Sequence, residues 1–134
     1  MGVVPPNQYH DYNQLVAELR RLNQVYPTLT RLYTLSEKSL GGRDLWAMQI
    51  STEANLGQRP LLKPMLKYVG NMHGNEVIGR EVLLSFIEYV LQTYTTNPNH
   101  PEIGKLVKDS DLHIIPTMNP DGFEKAQKVS IFSA

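Results

Sequence analysis

An α/β fold, a mixed sheet flanked by helices, is what this sequence predicts, and three observations carry the prediction. Apolar residues recur at three- and four-residue spacing from Tyr12 to Tyr26, the mark of an amphipathic helix. Two β-favouring runs flank the turn Gly41-Gly42. A mostly apolar run from Met65 to Gly70 leads straight into a second, longer helical pattern. The resulting order is helix, hairpin, strand, helix, helix, strand: about four strands and three helices.

Each element has its local reason. Asp11 is a candidate N-cap for the first helix, whose stripe of Tyr12, Leu15, Val16, Leu19, Leu22 and Tyr26 ends at Pro27. Thr30 to Ser36 and Leu45 to Ser51 form the two arms of the hairpin. Thr52 to Pro64, with Gly57, Pro60 and Pro64, reads as a loop. Met65 to Gly70 is apolar enough for a central strand. After Asn71-Met72-His73-Gly74-Asn75, a helix is expected from about Glu76 to Tyr94. Its apolar residues cover much of the circumference, which predicts a largely buried rod. Pro98 and Pro101 punctuate a loop before a short helix, Glu102 to Lys108. Asp111 to Thr117 is the fourth strand, and Asn119-Pro120-Asp121-Gly122 reads as a turn. The last twelve residues, Phe123 to Ala134, start no complete element by this reading.

Composition removes several functions. The chain has 134 residues, one domain's worth, with 41% hydrophobic and 19% charged residues, as in ordinary globular proteins. Thirteen basic residues balance thirteen acidic ones, so nothing in the net charge favours a nucleic-acid or membrane-surface partner. Trp46 and the seven Tyr lack an interleaved basic patch that would support base stacking. With no Cys there is no thiol nucleophile, thiolate metal site or disulfide. No apolar stretch is long enough for a membrane-spanning helix. Met1–Pro6 has neither the basic region nor the apolar core of a signal peptide, and Pro6 argues against a myristoylation start. Chemistry must therefore come from His, carboxylate, Ser, Lys or a metal. Ser85 and Ser130 have no His–acid partner suggested by sequence.

The sharpest signal is His73-Gly74-Asn75-Glu76. A His and a Glu at i and i+3, on a turn entering a helix, can reach one ion at about 2.0–2.2 Å, a pair that zinc accepts. The place also suits a site, because open α/β sheets bind ligands at the carboxyl ends of their strands. The same spacing also suits a plain helix start with an acidic residue in its first turn. Among the other histidines, His10 and His100 read as solvated surface residues, and His113 as a hydrogen-bonded residue at a sheet margin. Arg80 and Glu81 read as a solvated or ion-paired helix face.

Longer motifs add a family. Lys67-Tyr68-Val69-Gly70-Asn71-Met72-His73-Gly74-Asn75-Glu76-Val77-Ile78-Gly79-Arg80-Glu81 resembles the zinc-site segment of the metallocarboxypeptidases of the carboxypeptidase N/E subfamily, with its carboxypeptidase D-type domains as the best likeness. His113-Ile114-Ile115-Pro116-Thr117-Met118-Asn119-Pro120-Asp121-Gly122-Phe123-Glu124 resembles the following segment of that family, and Gly42-Arg43-Asp44-Leu45-Trp46 its second-strand entry. The likeness runs in register through residues 9–127, leaving 1–8 as a leader and 128–134 as a non-matching tail.

The resemblance implies zinc as cofactor, His73 and Glu76 as two of its three protein ligands, and hydrolysis of C-terminal residues, basic Lys or Arg, from peptides. It also implies that the second zinc His, the substrate-clamping Arg residues and the catalytic Glu belong to sequence beyond Gly122, which these residues do not match. The expected chain is thus the N-terminal half of a catalytic domain, holding zinc weakly and inactive alone. The alternatives are a non-catalytic isoform or fragment acting as an interaction module, or a piece of a longer polypeptide. A half-sheet would leave one strand edge unpaired, a route to association. Family members are typically secreted, yet neither a signal peptide nor an Asn-x-Ser/Thr site is seen, so localisation stays open.

Overall fold

A computed structural model describes residues 9–57 and 61–132, so the expected leader 1–8, part of the loop before Pro64 and the last two residues lie outside it. The chain runs α1 (Tyr12–Val25), β1 (Thr30–Lys38), β2 (Asp44–Ile50), a 3-10 turn (Ala54–Leu56), β3 (Met65–Val69), α2 (Val77–Thr96), α3 (Ile103–Asp109), β4 (Asp111–Ile115) and α4 (Pro120–Phe132). Asp11 caps α1 in a reciprocal capping box with Gln14, each side chain bonding the other's backbone N–H.

The four strands form one mixed sheet in the order β1-β2-β4-β3. β1 and β2 are the predicted hairpin, β2 pairs antiparallel with β4, and β3 pairs parallel with β4 through the α2–α3 crossover. Alternation then sorts the side chains. Leu32, Met48, Ile50, Leu112 and Ile114 share one face and meet Leu15, Leu19 and Leu22 of α1, Leu84, Ile87, Val90 and Leu91 of α2, and Ile103 and Val107 of α3. That single cluster is the core.

β3 stands at the open edge of this four-stranded sheet, as expected of a half-sheet that leaves an apolar strand unpaired, and Met65, Tyr68 and Val69 are exposed. Two expectations change. α2 is buried along one stripe only; Ile78, Val82 and Tyr89 on its other side face solvent. The segment read as a turn plus an unformed end is helix α4. Asn119, Pro120 and Asp121 are as good a helix start as a turn. The Asn119 side chain accepts from Gly122 N–H at 2.9 Å, its carbonyl accepts from Phe123 N–H at 3.1 Å, and Pro120 fills the first helical position.

Candidate metal centre

The loop between β3 and α2 is built by its neighbours. Gly70 N–H donates to the Ile115 carbonyl at 2.9 Å, and Met118 and Asn119 N–H donate to the carbonyls of Gly70 and Asn71, each at 3.0 Å. The ladder between β3 and β4 thus continues past both strands. Asn71 then turns the chain with φ 52°, the left-handed region that Asn tolerates better than other side chains.

Downstream of that turn, Glu76 N–H donates to the His73 carbonyl at 3.0 Å, closing His73–Glu76 on itself. The side chains of the two predicted ligands meet, His73 Nδ1 pairing with Glu76 Oε1. Glu76 is the cap residue of α2 but its carboxylate bonds no helix N–H, which leaves it to His73. The hydrogen bond from His73 holds the Glu76 carboxyl below the usual carboxylate range, so it is ionised as a metal ligand must be. Both groups are open, with side-chain exposures of 75% and 50%.

Gly74 is a close approach. A β-carbon there would lie 2.3 Å from the Gly122 carbonyl carbon, so the loop rests directly on the first turn of α4. Gly122 is helical, and its lack of a side chain leaves room for the Asn119 side chain that caps the helix; it does not serve a positive φ.

One nitrogen and one carboxylate oxygen on adjacent side chains, open to an incoming group, fit part of a zinc coordination sphere. Catalytic zinc takes three protein ligands, and among the described residues no group of three His, Cys, Asp or Glu forms. The other histidines are placed elsewhere. His113 is buried within β4, where its Nε2 is 3.0 Å from Asp111 Oδ2 and its Nδ1 is 2.7 Å from the Tyr33 hydroxyl. A carboxylate only accepts, so Nε2 donates to Asp111. That network continues from Asp111 through Gln49 Nε2 (2.7 Å) to Arg31 Nε on Gln49 Oε1 (2.7 Å).

His10 and His100, expected to be solvated, are both engaged. His10 Nδ1 lies 2.7 Å from Glu81 Oε2, and its N–H donates to Glu81 Oε1 at 2.7 Å. His100 Nδ1 accepts from the Ile103 N–H at 3.1 Å, capping α3. Arg80 departs furthest from its expected surface place. It is fully buried, its guanidinium 3.5 Å above the Phe123 ring, with Nη2 donating to the His10 carbonyl at 2.9 Å. Burial lowers its pKa to about 10, and its Nε and Nη1 find no hydrogen-bond partner among the described residues.

Sequence reasoning overlooked the residues that hold the loop. Asn71 is 2% exposed. Its Nδ2 donates to the carbonyls of His73 (2.8 Å), Glu76 (3.2 Å) and, more weakly, Gly74 (3.4 Å). Its Oδ1 accepts from the Thr117 hydroxyl at 2.7 Å. The available signal was an Asn directly after Gly at a strand end, a place that favours left-handed backbone.

Comparison with known proteins agrees with the motifs. The zinc carboxypeptidase (peptidase M14) family matches residues 15–133. Carboxypeptidase D of Mus musculus is 45% identical over 120 residues, 90% of this chain and 8% of the relative. Carboxypeptidase D of Drosophila melanogaster is 42% identical over 125 residues, 92% of this chain and 8% of the relative. The carboxypeptidase N catalytic chain of Rattus norvegicus is 40% identical over 119 residues, 89% of this chain and 25% of the relative. This chain therefore spans between 8% and 25% of the length of those relatives. Among solved structures, thrombin-activatable fibrinolysis inhibitor superposes with a TM-score of 0.76 at 23% identity, over 90% of this chain and 28% of that one. The carboxypeptidase A of Helicoverpa armigera gives 0.74 at 23%, over 90% and 27%. At that identity the superpositions show the fold.

Proposed function

This chain belongs to the zinc carboxypeptidase family, and on that premise we propose that it contributes His73 and Glu76 as two ligands of the zinc in a peptidase that releases C-terminal residues from peptides. The observation that carries the reading is the contact between the two side chains at the carboxyl end of β3. When bound, zinc supplies Lewis acidity for the attack of water on a peptide bond. The chain's own part is to present the His73 ring nitrogen and an ionised Glu76 carboxylate side by side, on a loop that α4 supports. The subfamily likeness supports Lys or Arg as the residue released.

With two ligands among the described residues, the 134-residue chain taken alone binds zinc weakly and has no turnover on this reading. Calorimetric titration with zinc tests the ligand pair: His73→Ala and Glu76→Gln should each weaken binding by about tenfold or more, as loss of a ligand or its support does. Affinity indifferent to both substitutions would overturn the assignment. Release of a C-terminal Lys or Arg by the 134 residues alone would overturn the proposed inactivity.

A second reading, an interaction module, is favoured by one feature: the open edge of β3 with its exposed Met65, Tyr68 and Val69. Its test is the oligomeric state.

A further inference from the structure

We infer that Asn71 is the positioning residue of this centre: its carboxamide holds the His73–Glu76 turn, and thereby sets the two ligand side chains against each other. The inference rests on the ligand reading above and concerns a residue that touches neither metal nor substrate.

Both ends of the Asn71 carboxamide are engaged, the nitrogen by the loop and the oxygen by Thr117. The Nδ2 group reaches the His73 and Glu76 carbonyls, the backbone of both ligands, and lies 3.4 Å from the Gly74 carbonyl between them. One amide therefore fixes the path of the chain from one ligand to the other. The Oδ1 atom accepts from Thr117, just beyond the end of β4, so the loop is referred to the sheet rather than to itself. The Asn71 carbonyl accepts from Asn119 N–H, which begins α4, the helix against which Gly74 packs. At 2% exposure, water does not compete for these bonds. Both ligand side chains are exposed and pair with each other, so the path of the backbone beneath them sets where each side chain starts.

Only certain substitutions isolate this role. Asn71→Gly keeps φ near 52° without strain and removes the carboxamide, but also frees the backbone, so it is read beside Asn71→Asp, which keeps the β-carbon. Asn71→Asp keeps size and the acceptor for Thr117 but turns an oxygen toward the carbonyls that Nδ2 serves. Thr117→Val removes the hydroxyl at constant shape, and Thr117→Ser restores it.

The experiment measures ¹⁵N order parameters of Gly74, Asn75 and Glu76 without metal, zinc affinity by calorimetry, and the melting temperature, all on the full 134-residue chain. Asn71→Gly and Asn71→Asp should drop the loop order parameters below about 0.6. Both should weaken zinc binding by about tenfold or more. Thr117→Val should weaken zinc binding by roughly fivefold, about one hydrogen bond's worth, and Thr117→Ser should keep it within about twofold. A merely structural Asn71 would move the melting temperature and leave folded-state affinity alone.

An ordered loop in Asn71→Gly overturns the inference whatever zinc does, and a disordered loop with wild-type affinity overturns it as well. If His73→Ala leaves zinc binding unchanged, it is the ligand assignment that falls. The metal-free order parameters then decide Asn71 by themselves.

Discussion

Asp121 joins two segments far apart in sequence. Its carboxylate accepts from Gly41 N–H (2.7 Å), Ser39 Oγ (2.9 Å) and Arg43 Nη1 (2.8 Å), tying the hairpin loop to the first turn of α4. Burial pushes its pKa up, but the Gly41 N–H, Arg43 and Ser39 together outweigh this and hold it below the ordinary 3.8. A carboxyl whose folded pKa is depressed stabilises the fold above its unfolded value and loses that contribution as pH falls through the folded value. Asp121→Asn should therefore cost about 1.5–3 kcal/mol near neutrality, the range for hydrogen bonds to a charged group. In urea denaturation the gap between the proteins should begin to narrow as pH falls below 3.8 and go on narrowing through the lower folded value; a gap that stays constant down that acid range, or none at pH 7, would refute it. Single residues were also where the sequence was hardest to read. The His73–Glu76 pairing was legible because both lie on one turn, three residues apart. Asn71 was not, because Thr117 stands 46 residues away. His10 and Arg80 were misread for the same reason, their surroundings coming from segments about 70 residues distant.

At the level of elements, α1 and the hairpin follow from local pattern: a capping Asp, an apolar stripe, and a Gly-Gly turn between β-favouring runs. α4 does not, since Asn-Pro-Asp-Gly satisfies a turn and a helix start equally and only the packing beyond it decides. That packing centres on Phe123, fully buried beneath the Arg80 guanidinium. Phe123→Ala should cost about 3–5 kcal/mol. The same change strips the aromatic face from a buried cation that has one hydrogen-bond partner to its name among the described residues. Phe123→Leu, which keeps most of the volume, should cost under about 1.5 kcal/mol. Chemical denaturation of the two variants side by side measures this, and equal costs would show that the ring over Arg80, and not its volume, carries the contribution. The partial burial of α2 has the opposite lesson. Its apolar residues do surround the helix, but Ile78, Val82 and Tyr89 meet no described partner across the open side.

For the molecule as a whole, the apolar run of β3 named the strand correctly, whereas its place at the sheet edge followed from pairings no local pattern contains. That edge exposes Met65, Tyr68 and Val69, and α2 separately exposes Ile78, Val82 and Tyr89, which gives the molecule apolar surface with which to associate. Sedimentation velocity at tens of micromolar should show self-association, reduced by the pair Tyr68→Lys and Val69→Lys. A wild-type chain that stays monomeric there would contradict it. The parallel pairing of β3 with β4 has a further consequence, in the order of events. β1 and β2 are near neighbours in the chain and close a short loop, whereas the Asn71–Thr117 bond closes one of 46 residues. A ribosome delivers His73 and Glu76 before Thr117, so the turn that carries the proposed ligands is made ahead of the residue to which Asn71 ties it. The hold of Asn71 on that turn is therefore completed late in synthesis, when the far end of the crossover arrives.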